Sequence, residues 1–211
     1  MKILFFKSLS STQSYLKELL KKQEEELPLA VVADMQTAGI GSRNNSWNSK
    51  EGNLFLSFAL AFENIPDDLK FESASIYYAY LLKETLHSFG SKVFLKWPND
   101  LYIGDSKVGG MITNIIGKTL VCGVGVNLEK RDDIFGILDI QVEKKVLLER
   151  YFQNIEKRVL WKQVFRKFKL EFQTNQKFFT HVSGKKVSLS EAELQNDGSL
   201  LINGQKVYSL R

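Results

Sequence analysis

Residues 92–126 read KVFLKWPNDLYIGDSKVGGMITNIIGKTLVCGVGV, and this stretch decides the fold class. Lys92–Trp97, Leu101–Ile103, Lys107–Ile116 and Thr119–Val126 are rich in the apolar and β-branched residues that suit a pleated, half-buried surface. Pro98-Asn99-Asp100, Gly104-Asp105-Ser106 and Gly117-Lys118 separate them. Each is a tight-turn signal, because these residue types preset or tolerate turn dihedrals. Connections so short leave no room for crossover helices. The stretch is predicted to be an antiparallel meander.

The flanks add helices and further strands. Residues 2–6 read as a short strand. Tyr15, Leu16, Leu19 and Leu20 then mark one side of a helix, capped by a hydroxyl among Ser10–Thr12. Pro28 restarts the chain, and Leu29–Ala33 and Asn53–Phe62 read as strands. Asp68–Phe89 has Ile76, Tyr77, Tyr80, Leu81 and Phe89 at helical spacing, with Gly90 as its stop. Val142–Phe179 reads as helical, its Phe165, Phe168 and Phe172 stripe facing a core. Lys186–Leu189, Ser199–Ile202 and Gln205–Leu210 are short strands punctuated by turns. The prediction is an α+β fold: a mixed, largely antiparallel sheet with flanking helices over residues 1–180. A small β unit, 181–211, is too short for a strong core of its own and is expected to pack on the rest.

Composition narrows the function classes. The chain has 211 residues, 44% hydrophobic and 25% charged, as a globular protein does, and 3 prolines argue against a Pro-rich linker. The single cysteine, Cys122, excludes a disulfide framework and a cysteine-rich metal site; it lies in an apolar run and reads as a small buried hydrophobe. The net charge of +5 suggests an anionic partner without choosing among nucleic acid, nucleotide and acidic protein. A nucleic-acid module needs a basic aromatic strip or a recognition helix, and neither is evident. The apolar start is too short for a signal-peptide core, and no stretch is long enough to span a membrane. The expected compartment is the cytoplasm.

Two segments offer chemistry. Lys96 sits at a strand end before a proline turn, where its ammonium can meet a phosphate or carboxylate. Asp100 is either its partner or a residue that holds the turn. Residues 36–47, between two strands, are polar and without periodicity, as functional loops are. Gly39 and Gly41 let backbone N–H groups approach a phosphate, Arg43 can grip its oxygens, and Trp47 can lie against a purine. No Gly-Lys-Ser/Thr follows, so this is not a Walker loop. His87 and His181 have no catalytic partner in view and read as structural.

Taken together the motifs resemble the biotin protein ligases. Lys96-Trp97-Pro98-Asn99-Asp100 followed by Lys107-Val108-Gly109-Gly110-Met111 is similar to the family's core signature. Gly123-Val124-Gly125-Val126-Asn127 resembles its Gly-x-Gly-x-Asn strand end, and Ser11-Thr12-Gln13 its Ser-Thr-Asn, with Gln in third place. Residues 36–47 resemble its arginine-rich biotin and adenylate loop, but Ile40 and Ser42 stand where arginines are usual and Asn44 where a glycine is. Asp197-Gly198-Ser199-Leu200-Leu201 resembles its small C-terminal β domain, of SH3-like type. The resemblance implies a class II synthetase-like catalytic domain.

The resemblance also implies an activity: biotin is activated with ATP and Mg²⁺ to biotinoyl-5′-AMP. Biotin then passes to a lysine of the biotin carboxyl carrier protein of acetyl-CoA carboxylase. A lipoate or octanoate ligase on the same fold is the nearest alternative. Lys96 and Arg43 are the expected catalytic cations. Ser11, Thr12, Gln13, Gln36, Ile40, Gly41, Ser42 and Lys96 are expected around biotin; Gly39, Arg43, Trp47 and Asn127 are expected around ATP and the adenylate. Relatives that repress transcription carry an N-terminal helix-turn-helix domain. The catalytic pattern here starts almost at Met1, so DNA is not an expected partner; a homodimer is an open expectation.

Overall fold

A computed structural model describes residues 1–41, 46–47, 51–129, 136–182 and 184–208. In chain order the first elements are β1 (Lys2–Leu9), α1 (Thr12–Lys22), β2 (Leu29–Gln36), β3 (Gly39–Ile40), β4 (Ser46–Trp47), β5 (Leu54–Ala61) and α2 (Ala74–Ser88). The meander follows as β6 (Phe94–Lys96), β7 (Asp100–Ile103), β8 (Ser106–Ile116) and β9 (Thr119–Val126). Then come α3 (Lys144–Glu156), α4 (Trp161–Glu171), β10 (Phe179–Val182), β11 (Lys185–Ser188), β12 (Glu193–Leu194), β13 (Leu200–Ile202) and β14 (Gln205–Val207). The main sheet has seven strands in the order β1-β2-β5-β9-β8-β7-β6, with only β1 and β2 parallel. The α+β prediction and the meander describe this sheet.

Paired residues on neighbouring strands share a face, so register sorts the side chains into two layers. Ala30, Phe58 and Cys122 are paired across β2, β5 and β9, and with Val32, Leu56, Met111 and Val124 they face the main core. That core is closed by Tyr77, Tyr78 and Leu82 of α2 and Leu147, Leu148 and Tyr151 of α3. Burial pushes the Cys122 thiol well up, so it packs as an apolar group.

The opposite face is covered by α1. Leu16 and Leu19 cover Leu29, Val31, Ala59 and Val121. Burying such side chains is worth roughly 1.5–3 kcal/mol each, which holds the helix on this face. Ser11 caps it, its side chain accepting from Ser14 N at 3.3 Å. The helix is about 16 Å long and leaves the part of the sheet beyond its N-terminus uncovered.

Several boundaries differ from the sequence prediction, each for a long-range reason. Val142–Phe179 is two helices, a 3-10 turn (Phe172–Asn175) and the start of β10, not one helical run. The break falls near Arg158, which adopts φ 46°. The backbone N–H groups of Trp161 and Lys162 donate to the Asp68 carboxylate at 2.7 and 3.1 Å, so a residue far off in sequence caps α4. Asp68 is accordingly outside α2, which starts at Ala74. The C-terminal strands form two small antiparallel sheets, and Leu189, Ala192, Leu200 and Ile202 join the main core. Among the described residues no helix is long and apolar enough to cross a membrane.

Candidate active site

At the N-terminus of α1 a cleft opens on the sheet. Its floor is built from absences. Gly110 on β8 pairs with Gly125 on β9, and Gly123 pairs with Ile112. A Cβ on Gly125 would lie 2.5 Å from the Trp47 ring, and one on Gly123 would lie 3.1 Å from Gln13 Oε1. One on Gly110 would crowd Asp100 Oδ1 at 3.2 Å. The glycines therefore let side chains from other elements lie flat on the sheet.

At one end, near the N-terminus of α1, buried polar groups converge. Gln36 Oε1, from the end of β2, accepts from Thr12 N at 2.8 Å and Thr12 Oγ1 at 3.1 Å. Thr12 Oγ1 also bonds Ser57 Oγ of β5 at 2.9 Å. Ser11, Thr12, Gln13 and Ser57 are all at most 4% exposed. Polar groups so buried must be paired, and this pairing holds their geometry.

At the other end stands one ion pair. Lys107 Nζ lies 2.6 Å from Asp100 Oδ1 and 5.7 Å from the Trp47 ring centroid. A slip in register delivers this lysine. Leu101 pairs with Gly109 while Tyr102 pairs with Lys107, so Val108 is extra. The alternation that points Val108 and Met111 to the core is thereby reset, and Lys107 joins Gly110 on the cleft face. The bulge is tied down by Asn127 N donating to Val108 O at 2.8 Å and Gly136 N to Lys107 O at 3.0 Å.

Lys96 stands beside the cleft. It pairs with Asp100 across β6 and β7. Yet it is not a lining residue: its ammonium lies over the rings of Tyr102 (4.9 Å) and Phe178 (5.6 Å). Burial, with Asp100 nearby, pushes the Tyr102 hydroxyl up to about 12, so this platform stays neutral. Of the other motif residues, Asn99 and Asp100 line the cleft and Trp97 is packed beneath the sheet's edge contacts. Trp97, 2% exposed, donates from Nε1 to Gly198 O at 2.7 Å and joins the sheet to the C-terminal strands. Asn99 donates from Nδ2 to Met111 O, and its backbone oxygen accepts from Met111 N at 2.9 Å. Asp100 is therefore the ion partner of Lys107 at the start of a clamped strand.

Of the expected site residues, the cleft gathers Ser11, Thr12, Gln13, Gln36, Ile40, Gly41 and Trp47. Gly39 pairs with Trp47 across β3 and β4 just outside the lining. Asn127 lies beyond it at the end of β9, its Nδ2 donating to Gly136 O at 3.0 Å. Ser42 and Arg43 lie outside the described residues. Lys107, Ser57, Asp100 and the glycine floor were not assigned to the site from sequence. His87 contacts the backbone oxygen of Val93, in keeping with a structural reading.

The description "Biotin/lipoate A/B protein ligase family" belongs to the family model that matches residues 5–128. In solved structures the chain is similar to the biotin acetyl coenzyme A carboxylase synthetase of Helicobacter pylori, crystallised with bound biotinylated ATP. They share 39% identity and a TM-score of 0.94, over 98% of this chain and 99% of that one. The biotin protein ligase of Aquifex aeolicus, in complex with biotin and ATP, has the same fold at 22% identity and TM-score 0.78, over 98% and 94% of the chains. The bifunctional ligase/repressor BirA of Escherichia coli is 37% identical over 109 residues, 48% of this chain and 33% of that protein. The chain thus matches about a third of the length of that relative.

Proposed function

This chain belongs to the biotin/lipoate A/B protein ligase family, and from that premise we propose that it activates biotin with ATP to biotinoyl-5′-AMP. It then transfers biotin to a lysine of the biotin carboxyl carrier protein of acetyl-CoA carboxylase. The observation that carries the reading is the two-ended cleft. Buried hydroxyls and amides stand at one end and the Lys107–Asp100 pair at the other, over a floor opened by Gly110, Gly123 and Gly125.

Biotin has a polar bicyclic head and a carboxylate at the end of an alkyl chain. In this proposal the head lies against Ser11, Thr12, Gln13, Gln36 and Ser57, and the chain runs over the glycines. Its carboxylate then reaches Lys107. Adenylation brings that carboxylate to the α-phosphorus of ATP, so two anions must approach each other. A fixed cation about 4 Å from the developing charge contributes about 4 kcal/mol at an effective dielectric of 20. Asp100 keeps the ammonium aimed. Carboxylate oxygen forms the new bond to phosphorus, and pyrophosphate leaves. In the second step a carrier lysine amine attacks the acyl carbon and AMP leaves. Positioning supplies much of that rate. Trp47, on Gly125, and Asn127, two residues further along, are the candidates for the adenine side, with Gly39 beside them.

Arg43 and the backbone at Ile40–Ser42 complete the proposed contacts to phosphate and biotin. Magnesium accompanies ATP as a charge-neutralising ion on its phosphates. The described residues do not offer it a cage. Asp100, the one carboxylate lining the cleft, is engaged by Lys107, and no group of three or more His, Cys, Asp or Glu among the described residues is placed to hold a metal. No step is therefore routed through it.

Exchange of labelled pyrophosphate into ATP tests the reading. The expected result is exchange that requires biotin. Exchange driven by lipoate or octanoate but not by biotin would select the other branch of the family.

A further inference from the structure

At the α1 end of the cleft one oxygen collects two donors. Asn114 Oδ1, on β8, accepts from Gln13 Nε2 at 2.9 Å and from Lys17 Nζ at 2.9 Å. Gln13 and Lys17 are one helical turn apart on α1, so both reach the same point of the sheet. Gln13 is 4% exposed and lines the cleft.

The chemistry of these three side chains leaves little choice of orientation. A lysine ammonium has donors only, so the Asn114 atom facing Lys17 is its carbonyl oxygen. That oxygen accepts, so Gln13 must turn its NH₂ toward it. The Gln13 carbonyl then points the other way, over the floor, where an added Cβ on Gly123 would sit 3.1 Å from it. An unsupported glutamine could present either end of its amide to the cleft. Here the polarity is set from outside the cleft, by a cation that does not line it.

We infer that Lys17 and Asn114 are positioning residues that orient the Gln13 amide, so that the end wall offers a carbonyl acceptor to a ring N–H of the substrate. The inference rests on the biotin reading and names the device within it that favours a cyclic urea over a ring lacking N–H donors. A ring without N–H would leave the buried acceptor unpaired, which is costly.

Steady-state pyrophosphate exchange with biotin as the varied substrate tests this in Asn114→Leu, Asn114→Asp and Lys17→Met. Asn114→Leu is expected to raise the biotin KM about tenfold, with kcat and the ATP KM unchanged. Asn114→Asp keeps an oxygen facing both donors and is expected to recover most of that loss. Lys17→Met is expected to raise the biotin KM about threefold. A folded Asn114→Leu protein with the wild-type biotin KM overturns the inference. If that variant does not fold, Lys17→Met decides, and an unchanged biotin KM overturns it. Absence of biotin-dependent exchange in the wild-type protein overturns the biotin reading first, and this inference with it.

Discussion

Lys96 and Lys107 both belong to recognisable motifs, and both are near Asp100 in the sheet. The turn before Asp100 makes Lys96 the natural choice from sequence. Counting by twos from Gly110 puts Lys107 on the core side, because alternation predicts its face only while the register is unbroken. The slip between Leu101 and Tyr102 moves it to the cleft, 2.6 Å from Asp100. A bulge in one strand depends on the partner strand, which no local pattern records. Ser57 was hidden for a similar reason: it lies mid-strand in an apolar run and reaches the cleft only because α1 starts against it, at Thr12. By contrast, Ser11, Thr12, Gln13, Gln36 and Trp47 were legible because they sit at element ends and in the polar loop. Asp100→Asn should leave the fold intact and lower kcat for exchange about tenfold with little change in the biotin KM, since it loosens the cation without removing it. Kinetics of the purified variant check this; a wild-type kcat would remove Asp100 from the account.

Among the elements, the β8–β9 hairpin is the one whose glycines the site needs. Gly109 tolerates no substitution for a purely geometric reason: its added Cβ would lie 2.8 Å from the Gly125 backbone oxygen, which cannot swing aside. Gly109→Ala should destabilise the protein by about 1–3 kcal/mol, read as a shift in the denaturant midpoint. An unchanged midpoint would show the strands are not held this closely. The meander was legible because its turns are marked by Gly, Pro, Asn and Asp. The α3–α4 break was not, because Asp68 caps α4 across a long sequence separation. Local propensity inside Val142–Phe179 reports helix on both sides of the break and nothing of the cap.

For the whole molecule, the turn at Asp197-Gly198 bonds the C-terminal strands to the main sheet and to the segment before α2, beside the core contacts of Leu189, Ala192, Leu200 and Ile202. Ser73 Oγ donates to Asp197 O at 2.5 Å, and Trp97 Nε1 donates to Gly198 O. Burial alone would raise the Asp197 carboxyl, but bonds from Lys206 at 2.7 Å and from Ser199 outweigh it and bring it down from 3.8 to about 2. The carboxylate is the form the fold prefers, so its contribution is complete above pH 3.8 and disappears as pH falls through about 2. Asp197→Asn should lower stability at pH 7 by about 1–2 kcal/mol and flatten the stability curve across that acidic window. Denaturation series at several pH values check it; a variant with the wild-type pH slope would contradict it. In the proposed reaction Lys107 is the cation at the reacting carboxylate. Biotin-dependent pyrophosphate exchange by Lys107→Met and Lys96→Met measures it directly. The expected result is a loss of at least about a hundredfold in Lys107→Met and a change within about threefold in Lys96→Met. The opposite order, with Lys96→Met dead and Lys107→Met active, would contradict it.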